Sequence, residues 1–472
     1  MFGCARNRQF VITPTVPLEK SLASNIVATG VESLSQVREP DSIKLASYAP
    51  STASGLSERN LDEPRATEAN TTVEELVKLA IANNPSIREL AATTQKAAGF
   101  RTQVGLKPNP IMGYQASQLA DRGTDQHVLF AEQEFVTANK LELNRQVLNE
   151  SLRTQLFELK SQRKRVETDV RVAFYQALAI QTQLLLIKEF QGVTESGYKL
   201  TKVRLKAGEA SRVDLLQSQV QMNEVELVAK QKRVKLSAAW RGLAAVTGVA
   251  GLTPTQLNGK FDIDSMTQDW QSLESQLVGS SPEYAAAEAN VSRARAELVR
   301  HGVQAIPNIS VLLGPGFDNG TNSGMLNLQI GAPVPIHNKN QGNIAAARAE
   351  LCRSILEAQR VQNSIKARLA IVASDFDSAR EAVIQYKDVI IPATKESLQL
   401  AEAAYKAGEL SFIQILVARR SYFDSNLQLV ASEADLASAM AKIDGFMLIG
   451  GLEQVSDRSG NDSLRGLSIG QR

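Results

Sequence analysis

Histidine and cysteine are nearly missing from this sequence: 472 residues hold three of the first and two of the second. Cys4 and Cys352 are too few for a disulfide framework and too far apart for a zinc motif. His127, His301 and His337 stand alone in the chain. So poor a stock of nucleophiles and ligands argues against triad hydrolysis and most protein-bound metal catalysis. Phosphate loops, nucleophile elbows and paired-ligand motifs are missing as well, so neither enzymatic activity nor a cofactor or metal site is expected. Charge of one sign is lacking too, with 52 Lys+Arg against 50 Asp+Glu, which removes the electrostatic case for nucleic acid. Aromatics make up only 5%, low for a large globular core, whereas the Ala, Leu and Val that dominate the apolar 43% suit closely packed helices. No uninterrupted run of 18 apolar residues occurs, so no transmembrane helix is expected; barrel strands, short and alternating, escape that test.

Proline is also scarce where it matters. None lies between Pro110 and Pro254, and after Pro335 only Pro392 interrupts, which leaves room for very long helices. Leu152, Leu156, Leu159, Val166, Val170, Ala173, Ala177, Ile180, Leu184 and Ile187 advance in steps dominated by three and four. Ile344, Leu351, Ala358, Ile365, Val372, Ala379 and Tyr386 recur every seventh residue, interleaved with Ile355, Leu369, Phe376, Val383 and Ile390. A seam of that length is a coiled-coil signature. A helix from about Asn139 to Lys199 would extend roughly 90 Å at ~1.5 Å per residue.

The chain is an internal duplication. Lys206-Ala207-Gly208-Glu209 recurs as Lys406-Ala407-Gly408-Glu409, Asn84-Pro85-Ser86 matches Ser281-Pro282-Glu283, and Pro108-Asn109-Pro110-Ile111 matches Pro307-Asn308-Ile309. Each half reads helix, strand, strand, long helix, glycine turn, returning helix. The strands are expected at 111–118 with 127–135 and at 309–317 with 325–334, the last alternating Leu326, Leu328 and Ile330 with Asn327, Gln329 and Gly331. Four strands cannot close a barrel, and lipid forbids open edges, so a membrane wall would need several chains. Gly208 and Gly408 allow the chain to reverse, and Ser211 and Ser411 stand where a cap would start each returning helix.

The expected organisation is a leader over 1–71, a first repeat over 72–254, a linker over 255–280, a second repeat over 281–448, and a loose polar tail over 449–472. Met1-Phe2-Gly3-Cys4 looks like the end of a lipoprotein cleavage site whose charged and apolar regions are missing. One reading makes Cys4 a lipid anchor and sets the true start upstream; the other makes it an isolated exposed cysteine.

The layout over about residues 72–448 resembles the TolC-like outer membrane factors, the exit ducts of bacterial efflux and type I secretion systems. The resemblance rests on the duplication, on Leu205-Lys206-Ala207-Gly208-Glu209 running to Val213-Asp214-Leu215-Leu216, and on Tyr405-Lys406-Ala407-Gly408-Glu409 running to Ile415-Leu416. The stretch from Pro333 to Ile344 is similar to the heavy-metal cation exporters of that family. The resemblance implies a mainly α fold with a small β part: long antiparallel coiled-coil hairpins in two repeats, with four strands per chain contributing to a homotrimeric 12-stranded transmembrane β-barrel. It further implies an outer-membrane location with the helices in the periplasm, contact with membrane lipid, and two partners, a periplasmic adaptor and an inner-membrane pump of the RND type. Lys206, Gly208, Glu209, Ser211, Lys406, Gly408, Glu409 and Ser411 become adaptor-docking tip residues. Asp214 and Gln414 become tunnel-gate positions, Gln414 and Val417 departing from a ring of aspartates found in relatives. His127 and His337, each alone near a strand–helix junction, read as polar junction residues rather than ligands. The alternative function is a soluble periplasmic coiled-coil adaptor or scaffold, although adaptors usually carry one helical hairpin per chain. Substrate identity does not follow from the residues; the local stretch leans to heavy-metal cations.

Overall fold

A computed structural model describes residues 71–120, 123–261 and 268–465. These belong to one contact unit, Ala66–Arg472. Cys4 lies outside the described residues.

The first repeat starts with α1 (Val73–Asn83), opened by a capping box in which Thr72 and Glu75 satisfy each other's backbone N–H groups. Asn84 then caps α2 (Pro85–Val104), with Pro85 in the first turn where no N–H is missed. Strands β1 (Ile111–Ser117) and β2 (Gln126–Phe135) lead into α3 (Lys140–Lys206), 67 residues and therefore about 100 Å long at ~1.5 Å per residue. The chain returns along α4 (Arg212–Thr247) and crosses through α5 (Trp270–Ser280). The same order follows as α6 (Pro282–Gly302), capped by Ser281, then β3 (Ile309–Asp318), β4 (Ser323–Gly331) and α7 (Gln341–Gln385). A π-helical turn (Tyr386–Ile390) joins α7 to α8 (Ile391–Lys406), and α9 (Phe412–Asp444) runs back. Pro392 explains the widened turn: it lacks an N–H, and its ring would crowd the carbonyl one turn earlier. The first repeat has no such proline, and α3 is unbroken.

The strands form one antiparallel sheet in the order β1-β2-β3-β4, so β1 and β4 are free edges. Its register sorts the side chains by chemistry. Tyr114 lies opposite Leu129, Ala131 opposite Leu313, and Leu313 opposite Leu328, so one face presents an exposed apolar surface, with Met112 81% and Leu326 66% accessible. The other face is the more polar, with Gln115, Gln126, Glu132, Glu134, Asn327 and Gln329 beside Val128, Phe130, Leu312 and Met325, and none of the four described strands contains a lysine or arginine. An apolar outer face and a polar inner one is the alternation of a barrel wall in lipid. β4 ends at Gly331 rather than at the expected Val334, because Pro333 and Pro335 have no N–H for a ladder.

The long helices pack through two apolar clusters. One joins Val166, Val170, Phe174 and Ala177 of α3 to Trp240 and Leu243 of α4; the other joins Ile365, Leu369, Val372, Phe376, Ala379 and Val383 of α7 to Leu436 and Ala439 of α9. The seven-residue seam of α7 is buried from Ala358 onward; before it Ala347 and Ser354 are buried while Ile355 is exposed, since here α7 lies against α6. By length and composition alone α3 passes the test for a membrane-crossing helix, a test that a packed core helix also passes, and it contains no uninterrupted run of 18 apolar residues. Part of its apolar length packs within the protein: Ile187 joins Val225 of α4 and Phe423 of α9, and Gln183 donates to the Leu427 carbonyl at 3.0 Å.

The segment after Gly450 was expected to be loose. It is instead bound to the helices as far as Arg465: Ser86 Oγ and Gln162 Nε2 donate to the Gly451 carbonyl at 2.8 and 2.7 Å, and Leu464 is buried with Val104, Val147 and Leu148. Polar composition concealed this, because the attachment is mostly by hydrogen bonds and ion pairs.

Candidate functional site

The two glycine turns are built alike. After α3, the Glu209 N–H donates to the Arg204 carbonyl at 2.8 Å and the Gly208 N–H to the Leu205 carbonyl at 3.2 Å. After α8, Glu409 donates to Ala404 at 2.9 Å and Gly408 to Tyr405 at 3.1 Å. This is a Schellman closure, which requires the residue after the cap to be left-handed; Gly208 has φ +78 and Gly408 φ +79. Each returning helix starts with a serine and the residue three further on. The Ser211 N–H donates to Asp214 Oδ2 at 2.9 Å, and the Ser411 N–H to Gln414 Oε1 at 3.0 Å. Asp214 and Gln414, singled out as gate positions, therefore serve as capping partners; that Ser-x-x-Asp and Ser-x-x-Gln spacing was legible in the sequence. Lys206, Glu209, Lys406 and Glu409 are all exposed, with Arg204 Nε 3.5 Å from Glu209 Oε2.

The structure also joins the two hairpins. Arg204 of α3 donates to the Tyr405 hydroxyl of α8 at 2.5 Å, its guanidinium 5.3 Å from the ring centroid. Arg420 of α9 meets Glu224 of α4 at 3.1 Å, while Arg419 of α9 meets Glu402 of α8 at 3.0 Å within the second hairpin. Further up, Phe190 and Phe423 stack at 4.1 Å and 9°. None of these contacts was foreseen. One signal existed: Tyr405 stands where the other repeat has Leu205, a mismatch beside an otherwise repeated motif.

Between α4 and α9 near the tips lies an open groove of about 370 Å³, lined by Val213, Leu216, Val220, Ile413, Leu416 and Val417 with Glu224 and Arg420 at its rim. Val213, Leu216, Val220, Ile413 and Val417 are all substantially exposed, an apolar strip that a single copy of the chain leaves uncovered.

Two of the three histidines are engaged locally. His127 Nε2 lies 2.6 Å from Asp125 Oδ2 and its Nδ1 meets the Tyr114 hydroxyl; His127 and Asn319 hold the Asp125 carboxyl below its usual range. His301 is partly buried beside Asn340, while His337 is exposed. Among the described residues no group of three or more His, Cys, Asp or Glu could hold a metal ion.

Residues 273–447 match the family model described as outer membrane efflux protein. Over 392 residues the chain is 21% identical to the cobalt-zinc-cadmium resistance protein CzcC of Cupriavidus metallidurans, covering 81% of this chain and 91% of that one. It is 24% identical to the pyoverdine export outer membrane protein OpmQ of Pseudomonas putida, over 59% of this chain and 60% of the relative. Among solved structures, the outer-membrane channel OprN superposes with a TM-score of 0.68 at 14% identity over 80% of this chain and 90% of that one. CusC gives 0.68 at 17% identity, over 81% and 93%.

Proposed function

We propose, from the premise that this chain is a TolC-like member of the outer membrane efflux protein family, that three copies form a passive duct from periplasm to exterior, opened at the helical tips by an adaptor and driven by an inner-membrane pump. The family is one of transport channels, and the chain is an outer-membrane channel of an efflux system. The observation that carries the duct is the sheet: apolar on one face, polar on the other, and unpaired along β1 and β4, so that only further copies complete it. A soluble adaptor has no use for such a face.

Heavy-metal cations are the cargo best supported. Glu132 and Glu134 are on the polar face of the wall with no lysine or arginine on the four described strands, and threefold repetition would multiply that charge around one axis. Glu132→Gln with Glu134→Gln is expected to reduce the cation preference of the open channel, read as a shift of reversal potential toward zero in a salt gradient. An unchanged potential would remove the wall from the selectivity argument.

The groove between α4 and α9 supports docking of an amphipathic helical hairpin, the adaptor's apolar seam lying over Val220 and Ile413 and its polar rim facing Glu224 and Arg420. Such seating would separate Arg204 from Tyr405, and the π-helical turn at Tyr386–Ile390 gives the second hairpin a place to bend that the first lacks. Val220→Asp with Ile413→Asp buries charge in that contact and is expected to weaken adaptor binding by about tenfold or more, trimer yield being unchanged. Undiminished binding by the double variant would refute the groove.

A further inference from the structure

The segment Gly450–Arg465 touches both repeats. Asp169 of α3 accepts from the Gly451 and Gly450 N–H groups at 2.6 and 3.3 Å. A side chain at Gly451 would come within 2.9 Å of Val166 Cγ2, so only glycine lets the backbone sit this close to α3. Asp457 pairs with Lys96 of α2 at 2.6 Å. The Gln155 amide, its oxygen toward the segment, accepts from the Ser459 N–H at 3.0 Å and from that of Arg458. Arg458 reaches both repeats at once: its guanidinium lies 3.8 Å from Glu158 of α3 and 3.3 Å from Glu357 of α7.

This attachment is polar and leaves space beneath. Leu464 is its apolar anchor, and a cavity of about 390 Å³ lies under its Gly450–Arg458 part, bounded by Glu158, Glu283, Glu357, Arg165, Arg368 and Arg458. A segment held by side-chain hydrogen bonds over a polar cavity opens at less cost than a packed helix. Its grip on α3 extends from Asn144, which donates to the Leu464 carbonyl at 3.4 Å, to Asp169. The tip of α3 lies roughly 55 Å beyond Asp169 at ~1.5 Å per residue, so a small rotation at this root is magnified at the tip.

We propose that Gly450–Arg465 is a clamp that holds α7 of the second repeat to α3 of the first and so sets the resting closure of the hairpins, with Arg458 as its positioning residue. The proposal rests on the channel reading. The test is the current through purified adaptor-free protein in planar bilayers, with trimer melting measured in parallel. Arg458→Gln and Arg458→Glu should raise basal conductance several-fold, with the trimer's melting nearly unchanged. Arg458→Lys, which keeps a cation between Glu158 and Glu357, should retain the low current, which a loss of the arginine's packing alone would not do. Should Arg458→Glu fail to assemble, Asp169→Asn, which weakens the hold on Gly450 and Gly451, should raise the current in its place. Parental conductance in the Gln and Asn variants, or a current in Arg458→Lys as high as in Arg458→Gln, overturns the clamp. A parent that passes no current even after its tips are removed by proteolysis counts against the channel reading itself, and the clamp falls with it.

Discussion

Gly408→Pro, like Gly208→Pro, is expected to abolish export while the protein still inserts into the outer membrane as a trimer. Both glycines are left-handed, at φ +79 and +78, where proline's ring-fixed φ near −65° cannot go. Proline also deletes the N–H that closes the turn, donated to Tyr405 in one hairpin and to Leu205 in the other. The turn must re-form elsewhere, shifting Ser411 or Ser211 out of its capping position. Gly→Ala separates conformation from crowding: a methyl group meets nothing within 4 Å at either site, so its cost is the backbone strain alone, about 1–2 kcal/mol. Alanine variants should therefore export weakly where proline variants do not export at all. The measurement is cation tolerance of cells expressing the chain with its pump and adaptor, beside trimer content of the outer-membrane fraction. Normal tolerance with both prolines would show that the tips are not the opening element.

Leu328→Lys should have the opposite signature, removing the protein from the membrane altogether. Leu328 is on the apolar face, paired with Leu313 and 63% accessible in a single copy. A lysine facing lipid near the midplane of a barrel costs about 2–4 kcal/mol, and in three copies roughly three times that, comparable to the whole stability of a domain. Gln329→Lys, one residue on and on the polar face, puts the same charge toward water and should insert normally. Heat-modifiable trimer in outer-membrane fractions reads both. Equal insertion of the two would mean that this face does not meet lipid.

The duplication made much of this protein legible. Repeated Lys-Ala-Gly-Glu motifs located both turns, because a Schellman closure writes its glycine into the sequence at a fixed place after the helix. Strand alternation likewise shows in β4, where a period of two is forced by the pleat. The tip contacts were hidden for a different reason. Arg204 and Tyr405 are separated by a whole repeat, and no local period links residues that meet only when two hairpins lie side by side. Asp214 has a local role of its own: the position assigned to the tunnel by resemblance also caps α4 through Ser211, a spacing that the sequence shows.

The sequence by itself determined the elements, their order and their repetition, since helix length, turn position and strand face depend on neighbours within a few residues. Only the tertiary structure decided which faces those elements share. It bound the polar segment after Gly450 across both repeats, left α4 and α9 with an uncovered groove, and placed a π-helical turn in one hairpin alone. These outcomes depend on contacts between residues far apart in the chain, where the energy of a hydrogen bond or ion pair is fixed by geometry that composition does not encode.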